Sequence, residues 1–251
     1  MKEYQKLQNG SDIRGVALPE KQDQSVHLSA EAASDLTRAF AAWLEQKTGR
    51  SMETLTIAVG RDSRLSGPML SRIVCDTLQA CGVRVLDCAM ASTPAMFLST
   101  VFPETAADGA VMITASHLPR DKNGFKYFSA EGGLNQEDIS SIIESASTLP
   151  DAGNEDPKGT CTPCGLMTYY VEHLKQIICR GLDSRPEDSP LQALHVVCDA
   201  GNGAGGFYAT HVLQPLGADI SGSQFLEPDG NFPNHSPNPE DRAAMDSVSS
   251  A

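Results

Sequence analysis

No apolar run in this chain approaches the roughly 20 residues that a membrane-spanning helix needs, which excludes an integral helical membrane protein. A basic excess is missing too: 19 Lys and Arg stand against 32 Asp and Glu, a net charge of −13. Residues 1–130 are balanced, and the whole acidic excess lies in 131–251. Neither half offers the basic face that duplex binding requires, so neither a nucleic acid nor a membrane is expected as a partner. An anionic small molecule is still compatible, because a few placed cations and backbone N–H groups suffice to hold a phosphate. A disulfide framework is absent by count. Seven cysteines (Cys75, Cys81, Cys88, Cys161, Cys164, Cys179 and Cys198) is an odd number, and several sit in apolar runs where a thiol behaves as a small hydrophobe. We read a reducing compartment. The amino terminus carries Glu3, Asp12, Glu20 and Asp23 and no apolar core, so it is neither a secretory signal nor an acid-poor transit peptide. The expectation is a cytoplasmic protein, or a plastid one if a transit peptide is missing from the sequence.

What is present is an alternation of strand and helix patterns in 251 residues, enough for two domains with their own cores. Ser29 is placed to cap a helix that runs to about Lys47 and stops at Gly49. Leu36, Phe40, Trp43 and Leu44 fall at helical spacing, which puts Trp43 in the core rather than against a ligand. Leu55–Val59, Val83–Cys88, Ala110–Thr114 and Gly124–Phe128 read as strands. Pro68 opens a helix that ends near Cys81–Gly82, Thr93–Pro94 opens another, and Asn135 begins an acidic helix to about Ser147. The stretch 149–165 is rich in Pro, Gly and Asp and marks a boundary. We place one domain at 1–150, a linker at 151–165 and a second domain at 166–251. The second holds a helix over about 166–180, a strand at Leu194–Cys198, a helix over about 207–214 and a strand near Ala218–Phe225. From Glu227 onward we expect a loop and then a frayed end. The fold class is α/β, with two mixed-sheet domains, the second ending before its strand–helix–strand unit is complete.

The chemistry gathers after the Ala110–Thr114 strand, in Thr114-Ala115-Ser116-His117-Leu118-Pro119 and Asp121-Lys122-Asn123-Gly124-Phe125-Lys126. Ligands bind at the carboxyl edge of open α/β sheets. There Ser116 offers a hydroxyl nucleophile, His117 an imidazole for proton transfer or charge stabilisation, and Lys126 a fixed cation. An ordinary strand-to-turn loop uses Ser and Asn as well. What favours a site is the packing of Ser, His, Asn, Gly and Lys into 116–126 directly after a strand.

Thr114–Pro119 resembles the phosphoserine loop of the α-D-phosphohexomutases, the phosphoglucomutase/phosphomannomutase family. Four more segments are similar to the same family in the same order: Ser11-Asp12-Ile13-Arg14-Gly15, Gly60-Arg61-Asp62-Ser63-Arg64, Asn123-Gly124-Phe125-Lys126, and Pro228-Asp229-Gly230-Asn231-Phe232-Pro233-Asn234-His235. The resemblance implies that Ser116 carries a phosphoryl group. It would pass that group between the 1- and 6-positions of a hexose phosphate through a bisphosphate intermediate. It also implies that His117 serves proton transfer or positioning, that Arg14 and Lys126 are catalytic and substrate-binding cations, and that His235 touches substrate. The phosphate on Ser116 would be a ligand of Mg²⁺. Cations around the nucleophile suit phosphoryl transfer, which is mostly positioning and stabilisation of negative charge. Leu118 stands where the commonest family pattern has asparagine, a mark of a subgroup. The family's Asp- and Gly-rich metal loop belongs downstream of the His235 segment, and no loop of that pattern occurs here. We therefore expect a fragment of the mutase with little or no mutase activity of its own. The alternative is a non-catalytic truncated relic or interaction module. Which hexose phosphate it would use, and the oligomeric state, are not legible.

Other signals compete. Gly201, Gly203 and Gly206 satisfy a G-x-G-x-x-G pattern after a strand, with Asp219 at the distance of a ribose-binding acid, which would suit a dinucleotide. The plainer reading is a glycine loop that lets strand and helix pack closely. Cys161-x-x-Cys164 has no second pair at zinc spacing and reads as plain linker. His235 by its neighbours alone is a solvated loop histidine, and Arg14 alone a surface ion pair after a short strand. The loop Gly60–Gly67 either binds an anion through backbone N–H groups or pins its helix through Arg61–Asp62 pairing.

Overall fold

The computed structural model describes residues 2–21, 23–151 and 158–251. The chain divides into two compact units, one formed by Met1–Ala115 with Arg120–Cys164 and one by Ser116–Pro119 with Gly165–Ala251.

The first unit is built on one mixed sheet. Its strands are β1 (Gln8–Asn9), β2 (Asp12–Val16), β3 (Thr56–Arg61), β4 (Arg84–Met90), β5 (Gly109–Ile113), β6 (Lys122–Ser129), β7 (Gly132–Gly133) and β8 (Thr160–Pro163). They run in the order β1-β2-β6-β5-β3-β4-β8, with β7 on β6. Strands β5, β3, β4 and β8 are mutually parallel, whereas β6 is antiparallel to both β5 and β2. The helices are α1 (Ala30–Thr48), α2 (Gly67–Ala80), α3 (Thr93–Leu98) and α4 (Gln136–Thr148). Their ends follow the local signals. The Ser29 hydroxyl accepts the Ala32 N–H, Gly49 closes α1 at φ +68°, Pro68 sits in the first turn of α2, and Asn135 forms a capping box with Asp138. The cap of α3 is Ser92, one residue before the expected Thr93.

One core joins α1, α2 and α4 to the sheet. Leu36, Phe40 and Leu44 meet Val74 and Leu78, Ile139 and Ile143, and the strand residues Ile57, Val85 and Val111. Phe40 stacks on Tyr127 at 4.3 Å between ring centres, and Trp43 lies half-buried against this core.

Cys161 and Cys164 do not lie in a plain linker, as the composition of 149–165 suggested. Thr160–Pro163 adds a parallel strand to β4, with Cys161 level with Val85, and the Cys164 N–H continues the ladder to the Asp87 carbonyl at 2.7 Å. A four-residue strand is too short to stand out among Pro, Gly and Asp. Cys161 meets Cys75 and Cys164 meets Cys88, and burial pushes the Cys75 and Cys88 thiols up, which keeps them protonated. The two cysteines of the C-x-x-C pattern therefore have different partners. Residues 152–157 of the expected linker lie outside the described residues.

The second unit carries α5 (Leu166–Gly181) and α6 (Arg242–Ser249). The segments expected as strands lie parallel, but they pair in the isolated bridges His195↔Asp219 and Asp199↔Gln224 instead of a continuous ladder. Cys179, Leu191, Leu216 and Ala218 are buried together between them and α5. The helix expected over 207–214 is a π-helical stretch, Tyr208–Leu213, followed by a 3₁₀ turn at Gln214–Leu216. Pro215 lacks the N–H that an α-helix would need and clashes with the preceding turn. The tail is not simply frayed: Arg242–Ser249 is helical and buries Ala244. Among the described residues no helix is long and apolar enough to cross a membrane.

Candidate active site

Strands β3 and β5 run side by side with Arg61 level with Ile113, so their carboxyl ends deliver Asp62 and Thr114 to one edge. There the Asp62 carboxylate accepts the Thr114 hydroxyl at 2.6 Å. The Thr114 N–H donates to the Gly124 carbonyl at 3.0 Å, and the Thr114 carbonyl accepts from the Arg14 guanidinium. Backbone and side chain of Thr114 are thus held from three directions, two residues before Ser116.

Arg14 reaches that carbonyl because of Gly124. Antiparallel pairing of β2 with β6 sets Arg14 opposite Gly124. A Cβ on Gly124 would lie 1.9 Å from the Ile13 carbonyl oxygen and 2.9 Å from the Arg14 Cδ. Without it, the Arg14 side chain crosses β6 and is 9% exposed. Arg14 is therefore a buried strand residue, not a surface ion pair after a strand. Burial pulls its guanidinium below the usual range, opposed by the carboxylates of Asp12 and Asp62. Lys126 joins the same group. One Asp12 oxygen lies 2.8 Å from Arg14 Nη2 and the other 2.6 Å from Lys126 Nζ.

Of the two readings of the loop after β3, the pinning is seen, but Arg64 provides it in place of the Arg61–Asp62 ion pair. The Arg64 side chain is fully buried, lies 3.2 Å from Asp62 and donates to the Lys122 carbonyl at 3.0 Å. Burial lowers its pKa too, and Asp62 opposes this. Arg61 donates only to the Asp62 carbonyl, at 3.3 Å. Asp12 and Arg64 were not singled out, and Asp62 was named with Arg61 as its partner instead of Arg64 and Thr114. Their signal was there, since all three lie inside the short motifs Ser11–Gly15 and Gly60–Arg64.

Ser116 is exposed and has φ +55°, the left-handed conformation, which costs a non-glycine residue roughly 1 kcal/mol or more. Its hydroxyl lies 3.3 Å from Nδ1 of His117. Ser116 thus combines exposure, a strained backbone and an adjacent imidazole.

His235 is not a solvated loop histidine. Its side chain is 9% exposed, with Nε2 3.1 Å from Asp199 and Nδ1 2.8 Å from the Ser236 carbonyl. Two oxygen acceptors face the two ring nitrogens, an arrangement that favours the protonated ring. Burial works against the charge, but the Ser236 carbonyl and the Asp199 carboxylate outweigh it and raise the pKa. Asp199 is correspondingly held below the usual carboxylate range. Burial again opposes its charge, and hydrogen bonds from His235, Gly201 and Gln224 win. The raised histidine binds its proton more tightly when folded. Its stabilisation is complete below the unfolded value of about 6.5 and is lost as pH rises through the folded value, while Asp199 stays ionised throughout. Urea midpoints of wild type and His235→Asn should differ more at pH 5.5 than at pH 8.5; a constant gap would contradict the ion pair.

Residues 5–151 match the description Phosphoglucomutase/phosphomannomutase, alpha/beta/alpha domain I, and residues 168–251 match alpha/beta/alpha domain II of the same family. The chain belongs to the phosphoglucomutase/phosphomannomutase family. A Phosphomannomutase/phosphoglucomutase of Pseudomonas syringae pv. tomato is 34% identical over 91% of this chain and 43% of its own length. A Phosphoglucomutase of Neisseria gonorrhoeae is 33% identical over 91% of this chain and 44% of its own. The crystal structure of a phosphoglucomutase/phosphomannomutase family protein from Burkholderia thailandensis superposes with a TM-score of 0.73 at 29% identity, covering 95% of this chain and 48% of that one. The chain spans about half the length of the curated relatives it matches.

The family resemblance implies Mg²⁺, and the described residues do not fit it. Among them no three His, Cys, Asp or Glu side chains cluster to hold a metal. Three buried or half-buried carboxylates are already committed: Asp12 to Arg14 and Lys126, Asp62 to Arg64 and Thr114, Asp199 to His235, Gln224 and Ser247. An octahedral oxygen set would have to break these contacts.

The glycine loop Gly201–Gly206 is filled by the chain's own polypeptide. A Cβ on Gly206 would lie 2.0 Å from the Leu226 carbonyl oxygen. The Asn202 side chain donates to the Glu227 carbonyl at 2.9 Å and accepts from Asn234 at 2.7 Å. The Asp219 carboxylate caps the Ser221 N–H at 2.9 Å. These glycines serve close packing, as the plainer reading held, and the dinucleotide reading loses its binding loop.

Proposed function

We propose that this chain carries the phosphoserine half of a phosphohexomutase, and that Ser116 is the residue phosphorylated. The observation that carries the reading is the exposed, left-handed Ser116 with its hydroxyl beside His117, two residues after the anchored Thr114. In the proposed step, Ser116 Oγ attacks phosphorus of a hexose 1,6-bisphosphate and forms a P–O bond. The bond from phosphorus to the sugar oxygen breaks. The hydroxyl proton leaves Ser116 by way of His117, and the departing sugar oxygen takes up a proton, giving a hexose monophosphate. The reverse step, on the other sugar hydroxyl, completes the interconversion of 1- and 6-phosphates.

Arg14 and Lys126 supply the positive charge that the transferring group requires. Thr114, whose carbonyl Arg14 grips, precedes Ser116 by two residues in the chain. Mg²⁺, which the family resemblance implies, has no assigned ligand here, and no step is derived through it. His235 is proposed as a structural residue of the second unit rather than a substrate ligand, because both of its ring nitrogens are occupied.

Intact-mass measurement tests the reading. The purified chain incubated with glucose 1,6-bisphosphate should gain one phosphoryl group, and Ser116→Ala should gain none. Absence of uptake by the wild type would favour the non-catalytic relic. Full hexose 1- to 6-phosphate interconversion by this chain would overturn the expectation that it has little mutase activity of its own.

A further inference from the structure

Asp12 does more than pair with one cation. It lies two residues before Arg14 on β2, so both side chains project from the same face of the strand. The β2–β6 register pairs Ile13 with Phe125, and one step further sets Asp12 opposite Lys126. The carboxylate thus stands between the two cations and gives one oxygen to each, at 2.8 and 2.6 Å. Its side chain is 17% exposed and that of Lys126 is 27% exposed.

Each cation needs this hold for its own reason. Lysine is a point charge on a flexible four-carbon stem, and a partly exposed one without an anchor would sample many rotamers. Arginine is a planar fork, and here the fork is split, with Nη1 on the Thr114 carbonyl and Nη2 on Asp12. Asp12 therefore fixes the plane of the guanidinium relative to the strand end that leads into Ser116. We propose that Asp12 is a positioning residue for phosphoryl transfer at Ser116: it pre-orients Arg14 and Lys126, and it does so at the expense of affinity for the anionic donor. The inference rests on the phosphoserine reading above. Its physical content is a charge count. With Asp12 ionised the three groups carry +1, and neutralising it leaves +2. An anionic donor would then bind more tightly, but to cations no longer held in place.

The test follows phosphoryl uptake by the full chain against glucose 1,6-bisphosphate concentration, using intact mass, for wild type, Asp12→Asn, Asp12→Glu and Ser116→Ala. Asp12→Asn should lower the maximal rate about tenfold or more while lowering the half-saturating donor concentration about two- to fivefold. Asp12→Glu, which keeps the charge, should return the rate to within about threefold of wild type. These opposite movements are the signature. A residue that only held the fold would weaken rate and affinity together and lower the urea midpoint in step. That pattern, or an unchanged rate in Asp12→Asn, would overturn the role of Asp12 and leave the phosphoserine reading intact. No uptake by the wild type would remove both.

Discussion

Gly124→Ala should unfold or severely destabilise the first unit, by about 4 kcal/mol or more. The added Cβ would sit 1.9 Å from the Ile13 carbonyl oxygen, a backbone atom that cannot rotate away. To relieve it, β2 would have to separate from β6, which breaks the pairs from Ile13↔Phe125 to Val16↔Lys122 and withdraws Arg14 from Thr114. Gly133→Ala is the matched control. Its Cβ would meet only the Phe128 ring, at 3.7 Å, so its cost should stay within about 0.5 kcal/mol. Urea unfolding of both variants checks the contrast. Equal midpoints would mean that β2 and β6 are not packed as closely as described.

Arg64→Met is the second large effect. Arg64 is fully buried, and its guanidinium serves both Asp62 and the Lys122 carbonyl. Methionine fills much of the volume but leaves an ionised carboxylate with one fewer partner in a low-dielectric setting. Breaking a buried pair from one side costs about 3–5 kcal/mol. The companion change Asp62→Asn removes the stranded charge while keeping an oxygen for the Thr114 hydroxyl, so the double variant should cost clearly less than the two single costs added together. Additive costs in a double-variant unfolding cycle would show that the pair is not coupled. Because Asp62 also anchors Thr114, the proposed phosphoserine role predicts that Arg64→Met slows phosphoryl uptake at Ser116 even where the protein remains folded.

The two variants share a cause that explains what could be read in advance. Helix ends were legible because their signals are local: Ser29 and Gly49 bound α1, Pro68 opens α2, and Asn135 caps α4, each within a residue or two of the end it sets. The serine loop was legible because Ser116 and His117 are neighbours. Arg64 was not, because its partners come from Asp62 and from a carbonyl at position 122 that only the sheet brings near. Strand β8 escaped because a Thr-Cys-Thr-Pro run gains its hydrogen bonds from β4, not from itself. The helix at Arg242–Ser249 was overlooked because the prolines just before it coloured the whole tail.

The sequence by itself determined the alternation of strands and helices, the family, and the identity of a presented serine with a histidine beside it. These rest on short-range chemistry that any chain carries with it: caps, glycine and proline backbone limits, and collinear motifs. The tertiary structure decided which charges meet. Asp12 grips Lys126 across 114 positions of chain only because antiparallel register sets them opposite, and Arg14 is buried only because Gly124 has no side chain to stop it. Register is a property of paired strands, so no single segment could have announced it.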